Sequence, residues 1–241
     1  MSIDFVLLLL GSFAGGFASG LSGFAFALIA SATFLHVLPP TDSTTLVLLG
    51  SIVAQFFTIW RLRHAMDARR LAPFLIGGIV GVPFGTWALQ HVSVGRFRDA
   101  IGSFLIAYSS YSLWRGVPRV LAWGGRAADG AVGVAGGFLG GLAGLSGSLP
   151  TIWCGFRGWP RDEQRAVYQP FVVLVQLLGF AALALAGGVT VATLWLFLQL
   201  LPAMLLGVWT GMTLYQRIDE QGFRRVVLLL LMASGLMLVL W

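Results

Sequence analysis

Four serines set among glycines, in two matching places, are the residues of this chain best suited to chemistry. Ser19 and Ser22 neighbour Gly20 and Gly23, while Ser146 and Ser148 follow Gly141 and Gly144. Hydroxyls beside the bare N–H groups of an interrupted helix can cradle an anion, because the positive end of the helix dipole faces it. Gln55 and Gln176 add a matched pair of amides, each well inside an apolar stretch. A buried amide without a partner costs roughly 1–3 kcal/mol, so each must meet a neighbouring helix, water or a substrate. Thr58, Tyr168 and Gln169 lie nearby in sequence and are further candidates for the same path. The expected substrate-binding set is Ser19, Gly20, Ser22, Gly23, Gln55, Gly141, Gly144, Ser146, Ser148 and Gln176.

Other chemistries fit less well. Gly20-Leu21-Ser22-Gly23 and Gly144-Leu145-Ser146-Gly147 carry a G-x-S-G pattern that resembles the nucleophile motif of rhomboid intramembrane proteases. A serine nucleophile needs a base within hydrogen-bond reach. The histidines are His36, His64 and His91, all near the ends of apolar runs, and none follows Ser146. No Asp, Glu, Arg or Lys is expected in mid-span, so an intramembrane carboxylate relay is not foreseen. Selectivity for an anion would then come from dipoles and hydroxyls, with no buried arginine. Cys154 is the single cysteine, which excludes an intramolecular disulfide or a cysteine metal site. The chain is not expected to be an enzyme or to carry a cofactor or metal.

The elements that must position these groups are repeated. Ala14-Gly15-Gly16-Phe17, then Gly20-Leu21 and Gly23, returns 121 positions later as Ala135-Gly136-Gly137-Phe138, then Gly141-Leu142 and Gly144. Gln55 and Gln176 keep that spacing of 121. Further on, Gly81 and Gly85 match Gly207 and Gly211, Gln90 matches Gln216, and Phe97-Arg98 matches Phe223-Arg224, all at 126. The glycines of the plain spans (Gly77, Gly81, Gly85, Gly207 and Gly211) read first as small-residue helix contacts. The repeat divides the chain into a first copy over 1–115, a linker over 116–128 and a second copy over 129–241, within a single membrane domain.

Composition says where these copies reside. With 58% hydrophobic and 10% charged residues and a mean hydropathy of +0.88, the 241-residue chain does not have a soluble composition. Apolar runs at about 3–36, 43–60, 71–90, 97–115, 129–154, 166–187, 189–215 and 223–241 are long enough to cross a hydrocarbon core of roughly 30 Å. Helices fit these runs; a β-barrel would need short alternating strands. The net charge of +6 comes from arginine alone, and short basic loops explain it as membrane topology, with no nucleic-acid partner implied. The first run has no basic leader and carries Asp4, so it reads as mature protein and not as a signal.

Topology follows from the arginines. If segment 129–154 enters and returns, thirteen of the fifteen arginines fall on one side, leaving only Arg96 and Arg98 on the other. The rich side is then cytoplasmic. Symmetry gives 3–36 the same broken shape, which its glycines favour, since each costs about 1 kcal/mol in a helix interior. The expected fold is an all-α integral membrane protein. It has two inverted repeats, each a broken or re-entrant glycine-rich segment followed by three transmembrane helices. Both termini lie outside, and a midplane site lies between the copies.

The doubled G-G-F-x-x-G-L-x-G opening, the three apolar spans after each copy and the G-x-x-x-G helix leading to Phe-Arg resemble the sulfite exporter TauE/SafE family across essentially the whole chain. That resemblance implies a permease of the bacterial inner membrane, moving sulfite, sulfoacetate, taurine-like or related organic anions outward. Members often carry an Asn- or Ser-rich patch on the second span of the second half, where this chain has Val175-Gln176-Leu177. The expected function is a secondary transporter working by alternating access, with an anion channel as the alternative and a serine protease or a scaffold as lesser ones. Its expected partners are a small anion and the lipid bilayer, with self-association open.

Overall fold

The computed structural model describes residues 3–88, 94–115, 121, 123–143 and 145–240. Among them are ten α-helices and no strand. In chain order these are α1 (Ile3–Ser22), α2 (Phe26–Val37), α3 (Pro40–Leu62), α4 (Ala68–Ala88), α5 (Val94–Arg115), α6 (Gly125–Ala143), α7 (Ser148–Phe156), α8 (Arg161–Leu185), α9 (Val191–Arg217) and α10 (Glu220–Leu240). Five are long and apolar enough to cross a membrane: α1, α3 with its 3-10 extension to Ala65, α4, α8 and α9. Gln90 lies outside the described residues.

Local chemistry sets the ends of these helices. α1 stops where Gly23 adopts a positive φ of 84°, a conformation that costs other residues but not glycine. The Gly23 N–H still bonds the Ser19 carbonyl at 2.7 Å, so the helix closes its last turn before the chain turns away. α2 ends at Leu38, held extended at φ −121° and ψ 153° ahead of Pro39. α3 begins with Pro40, whose missing N–H has no use in a first turn, and places Asp42 near the positive end of the dipole. α8 opens in the same way, with Asp162 and Glu163 in its first turn. It ends at Gly187, whose φ of 74° is left-handed, with the Gly188 N–H bonded back to the Leu183 carbonyl at 2.9 Å.

The helices sort into two compact units, and each takes elements from both sequence copies. The first unit holds Met1–His64 and Val172–Arg217, that is α1, α2, α3, the latter part of α8, and α9. Its core gathers Leu8, Phe26, Ala30, Phe34, Leu46, Ala54, Leu200, Met204 and Val208. α1 packs along α9 through glycines. A methyl group added at Gly16 or Gly20 would collide with the carbonyl oxygen of Met204 or Val208, and one at Gly207 or Gly211 with that of Phe13 or Phe17. Backbones can approach this closely only where neither helix carries a side chain.

The second unit holds Ala65–Phe171 and Ile218–Trp241, with α4, α5, α6, α7, the start of α8, and α10. Here α6 packs along α4 with the same contacts, residue for residue. A methyl at Gly137 would stand 2.6 Å from the Gly78 carbonyl oxygen, and one at Gly141 2.5 Å from that of Val82. Gly81 and Gly85 meet the carbonyls of Val134 and Phe138. α5 lies against α10, where Gly235 would bring a methyl to 2.6 Å from the Gly102 carbonyl oxygen.

Candidate functional site

In the first unit the interruption between α1 and α2 gathers several of the expected binding residues. Ser19 and Ser22 are fully buried. The Ser22 hydroxyl donates to the Ala18 carbonyl at 2.7 Å and accepts from the Phe24 N–H at 3.4 Å, so it serves the helix end. The Ser19 Oγ makes no hydrogen bond, which is unusual for a buried hydroxyl. Gly20 sits within α1 and not at its end, and its missing side chain admits the backbone of α9.

Gln55 and Gln176 lie in this same unit. Gln55 is fully buried on α3; its Nε2 donates to the Ser51 Oγ at 3.2 Å, and the Thr58 hydroxyl donates to the Gln55 carbonyl at 3.0 Å. Gln176 is buried on α8. The two helices touch at Leu48, whose Cδ2 would lie 3.5 Å from a methyl at Gly179. At the start of α3, Asp42 accepts from the Thr193 hydroxyl of α9, and the Thr45 hydroxyl reaches the carbonyl of Gly188, just beyond the end of α8, at 3.5 Å.

The second unit carries the matching interruption between α6 and α7. Ser146 and Ser148 are buried there, and Gly144 lies outside the described residues. Gly141, like Gly20, lies within its helix and against the neighbouring backbone. The first turn of α7 offers fewer bare donors than the sequence suggests: Pro150 has no N–H, and the Ser148 N–H bonds the Leu145 carbonyl at 3.3 Å. Thr151 compensates in kind, since its Oγ1 is buried and makes no hydrogen bond.

Two charged residues, both near helix starts and neither in mid-span, are buried. Asp129 lies inside α6, within the first residues of the second copy, and is 3% exposed. It accepts from the Trp153 indole N–H at 2.7 Å, with Arg157 at 3.6 Å. Arg165 is fully buried, although its place before the apolar run at 166–187 had counted it among loop arginines. α8 starts five residues earlier than the apolar run, because its acidic first turn extends the helix beyond the hydrophobic stretch. Tyr168 and Gln169, named from sequence only as nearby residues, are also fully buried on this helix. At the helix start, Glu163 pairs with Arg70, which stacks over Trp159 at 5.1 Å from the ring centre.

A model of the sulfite exporter TauE/SafE family matches residues 7–238, nearly the whole chain. The chain belongs to that family. TauE/SafE membership and the apolar helices make it a multi-pass membrane protein of a transporter family. Comparison with curated proteins and with solved structures gives no match. Polar residues buried within its helices include Ser19, Gln55, Thr151, Arg165, Gln169 and Gln176. Ser19, Gln55 and Gln176 could be read from glycine context and repeat spacing. Arg165 could have been found from the acidic pair three and two residues before it, which marks a helix start.

Proposed function

We propose that the protein is a secondary transporter exporting a small anion, such as sulfite, an organosulfonate or a related organic anion, across a bacterial inner membrane. In this reading the two sequence copies are inverted repeats. Each interruption, between α1 and α2 and between α6 and α7, offers polar groups to the substrate, and alternating access comes from movement of one repeat against the other. Ser19, Ser22, Gly23, Gln55, Ser146, Ser148 and Gln176 would line the path, with Gly20, Gly141 and Gly144 allowing close backbone approach. The observation that carries the reading is the recurrence of a broken helix at equivalent points of a chain matched to a sulfite exporter family. Helix interruptions at membrane depth persist only where they line a cavity or are covered by protein. Outward anion movement is also favoured by a negative-inside potential, at about 2.3 kcal/mol per charge per 100 mV.

The test is flux in reconstituted vesicles over sulfite, sulfonates and small carboxylates. Saturable uptake, accelerated by anion on the opposite side and without unitary currents, is the expected result. Unitary currents that do not saturate would make the protein a channel. Absence of flux for every anion would remove the transport reading.

A further inference from the structure

In alternating access one repeat moves against the other, and the helix contacts determine which helices travel together. α1 lies on α9, and α6 on α4, with glycine on both sides of each contact. A methyl at Gly16 or Gly207 in one pair, or at Gly81 or Gly137 in the other, would strike a peptide carbonyl. Backbones interlocked this closely leave no room for one helix to slide past its neighbour. Each pair takes one helix from either copy: α1 and α4 precede the linker, while α6 and α9 follow it. Movement of the copies as the chain runs would shear both contacts. Movement of the two compact units would leave both whole.

The chain passes between those units at His64–Ala65, at Phe171–Val172 and at Arg217–Ile218. The first passage lies in the 3-10 turn after α3 and the last between α9 and α10, where a change of direction needs no helix to bend. The middle one falls inside α8, a helix of 25 residues. Its two parts have different anchors. Before the passage, Glu163 pairs with Arg70 of α4, and Phe171 Cε2 would stand 2.7 Å from a methyl at Gly78. After it, Gly179 faces Leu48 of α3. An unbroken helix would join these anchors stiffly, but Pro170 stands beside the passage, inside the helix. Having no N–H, it cannot bond the Ala166 carbonyl, and its ring crowds that carbonyl, so the helix is weakened at this turn. The corresponding helix of the first copy, α3, stays within one unit and has Leu49 at the matching position. Pro73, Pro83 and Pro202 also lie inside helices, yet α4 and α9, which carry them, each belong to a single unit.

Resting on the anion-export reading, we propose that alternating access moves exchanged halves, each built on one interrupted segment and the glycine helix of the other copy, with Pro170 as the hinge in α8.

The experiment uses the full chain in vesicles. Pro170→Ala is compared with Pro202→Ala, which restores a helix bond inside one unit, for flux of sulfite, methanesulfonate and acetate. Both variants should be at least as heat-stable as wild type. Pro170→Ala should lower the maximal rate about threefold or more while half-saturation stays within about twofold, the mark of a slowed conformational step and not of weakened binding. Pro202→Ala should keep the wild-type rate. In a Cys154→Ala background, spin labels at Leu10→Cys and Leu206→Cys report on one unit across the copies. Labels at Leu10→Cys and Phe84→Cys report on one copy across the units, and all three native side chains are exposed. Sulfite or methanesulfonate, whichever is carried faster, should leave the first distance unchanged and shift the second. A shift in the first distance, or none in the second, overturns the exchanged halves. A wild-type maximal rate in Pro170→Ala, or an equal loss in Pro202→Ala, overturns the hinge. Either result leaves the exporter reading standing, whereas no flux of any anion by wild type overturns both.

Discussion

The α1–α9 pair and the α6–α4 pair use the same glycine register, yet what surrounds each pair differs. Around α1 and α2 the contacts are apolar: Leu8, Phe26 and Phe34 close on Leu46, Leu200 and Met204. Around α6 and α7 the equivalent shell is charged. Asp129 stands where the first copy has Leu8, and Arg157 where it has His36. Backbone approach is thus held fixed in both copies, because a side chain at any contact glycine strikes a peptide carbonyl. Positions beside that contact are free to diverge, and there the second unit has acquired the Asp129–Trp153–Arg157 cluster and the buried face of α8.

If that division is right, the two pairs should fail alike. Gly207→Leu and Gly81→Leu each drive a side chain into backbone, and overpacking of this kind costs about 3 kcal/mol or more. Both variants should lose monodisperse protein in detergent to a similar extent. A tolerant Gly81→Leu beside a failing Gly207→Leu would break the equivalence.

The charged shell predicts a difference between the copies. Asp129→Leu, which installs the residue of the other copy, leaves Arg157 without its carboxylate and should cost roughly 2–4 kcal/mol. Adding Arg157→His should recover about half of that loss or more, read as thermal unfolding of the single and double variants. No recovery would mean that the cluster does more than balance its own charges.

Smaller effects follow at the interruptions. Ser19→Ala removes a hydroxyl that makes no hydrogen bond, so stability should change by less than about 1 kcal/mol. The half-saturation for anion flux should nevertheless rise several-fold; unchanged flux would remove Ser19 from the path. Gly155→Ala, in α7 with nothing near the added methyl, should stabilise by about 0.5–1 kcal/mol and leave flux unaltered.

Much of the helical architecture could be read from the chain, because apolar runs of this length have few other solutions in lipid. The glycine spacing marked small-residue contact faces on several spans before any contact was known. Which helices pair was not legible: α1 meets α9 across more than a hundred residues of sequence, and α6 meets α4 with α5 between them in the chain. Periodicity marks a sticky face but does not name its partner. The serines at the interruptions were found from composition, whereas Ser22 proved to be engaged with its own helix end, a local bond that spacing does not reveal. Arg165 was missed because hydropathy locates the apolar part of a helix, and α8 continues beyond it.

The arrangement of the two copies is open to one direct measurement. Pro39 and Pro160 are exposed, lie at the starts of α3 and α8, and are 121 positions apart. In a Cys154→Ala background, Pro39→Cys and Pro160→Cys can be probed on intact cells with a membrane-impermeant thiol reagent. Inverted copies predict labelling of Pro39→Cys from outside and of Pro160→Cys only after the membrane is opened. Labelling of both from the same side would contradict the inversion on which the alternating-access account depends.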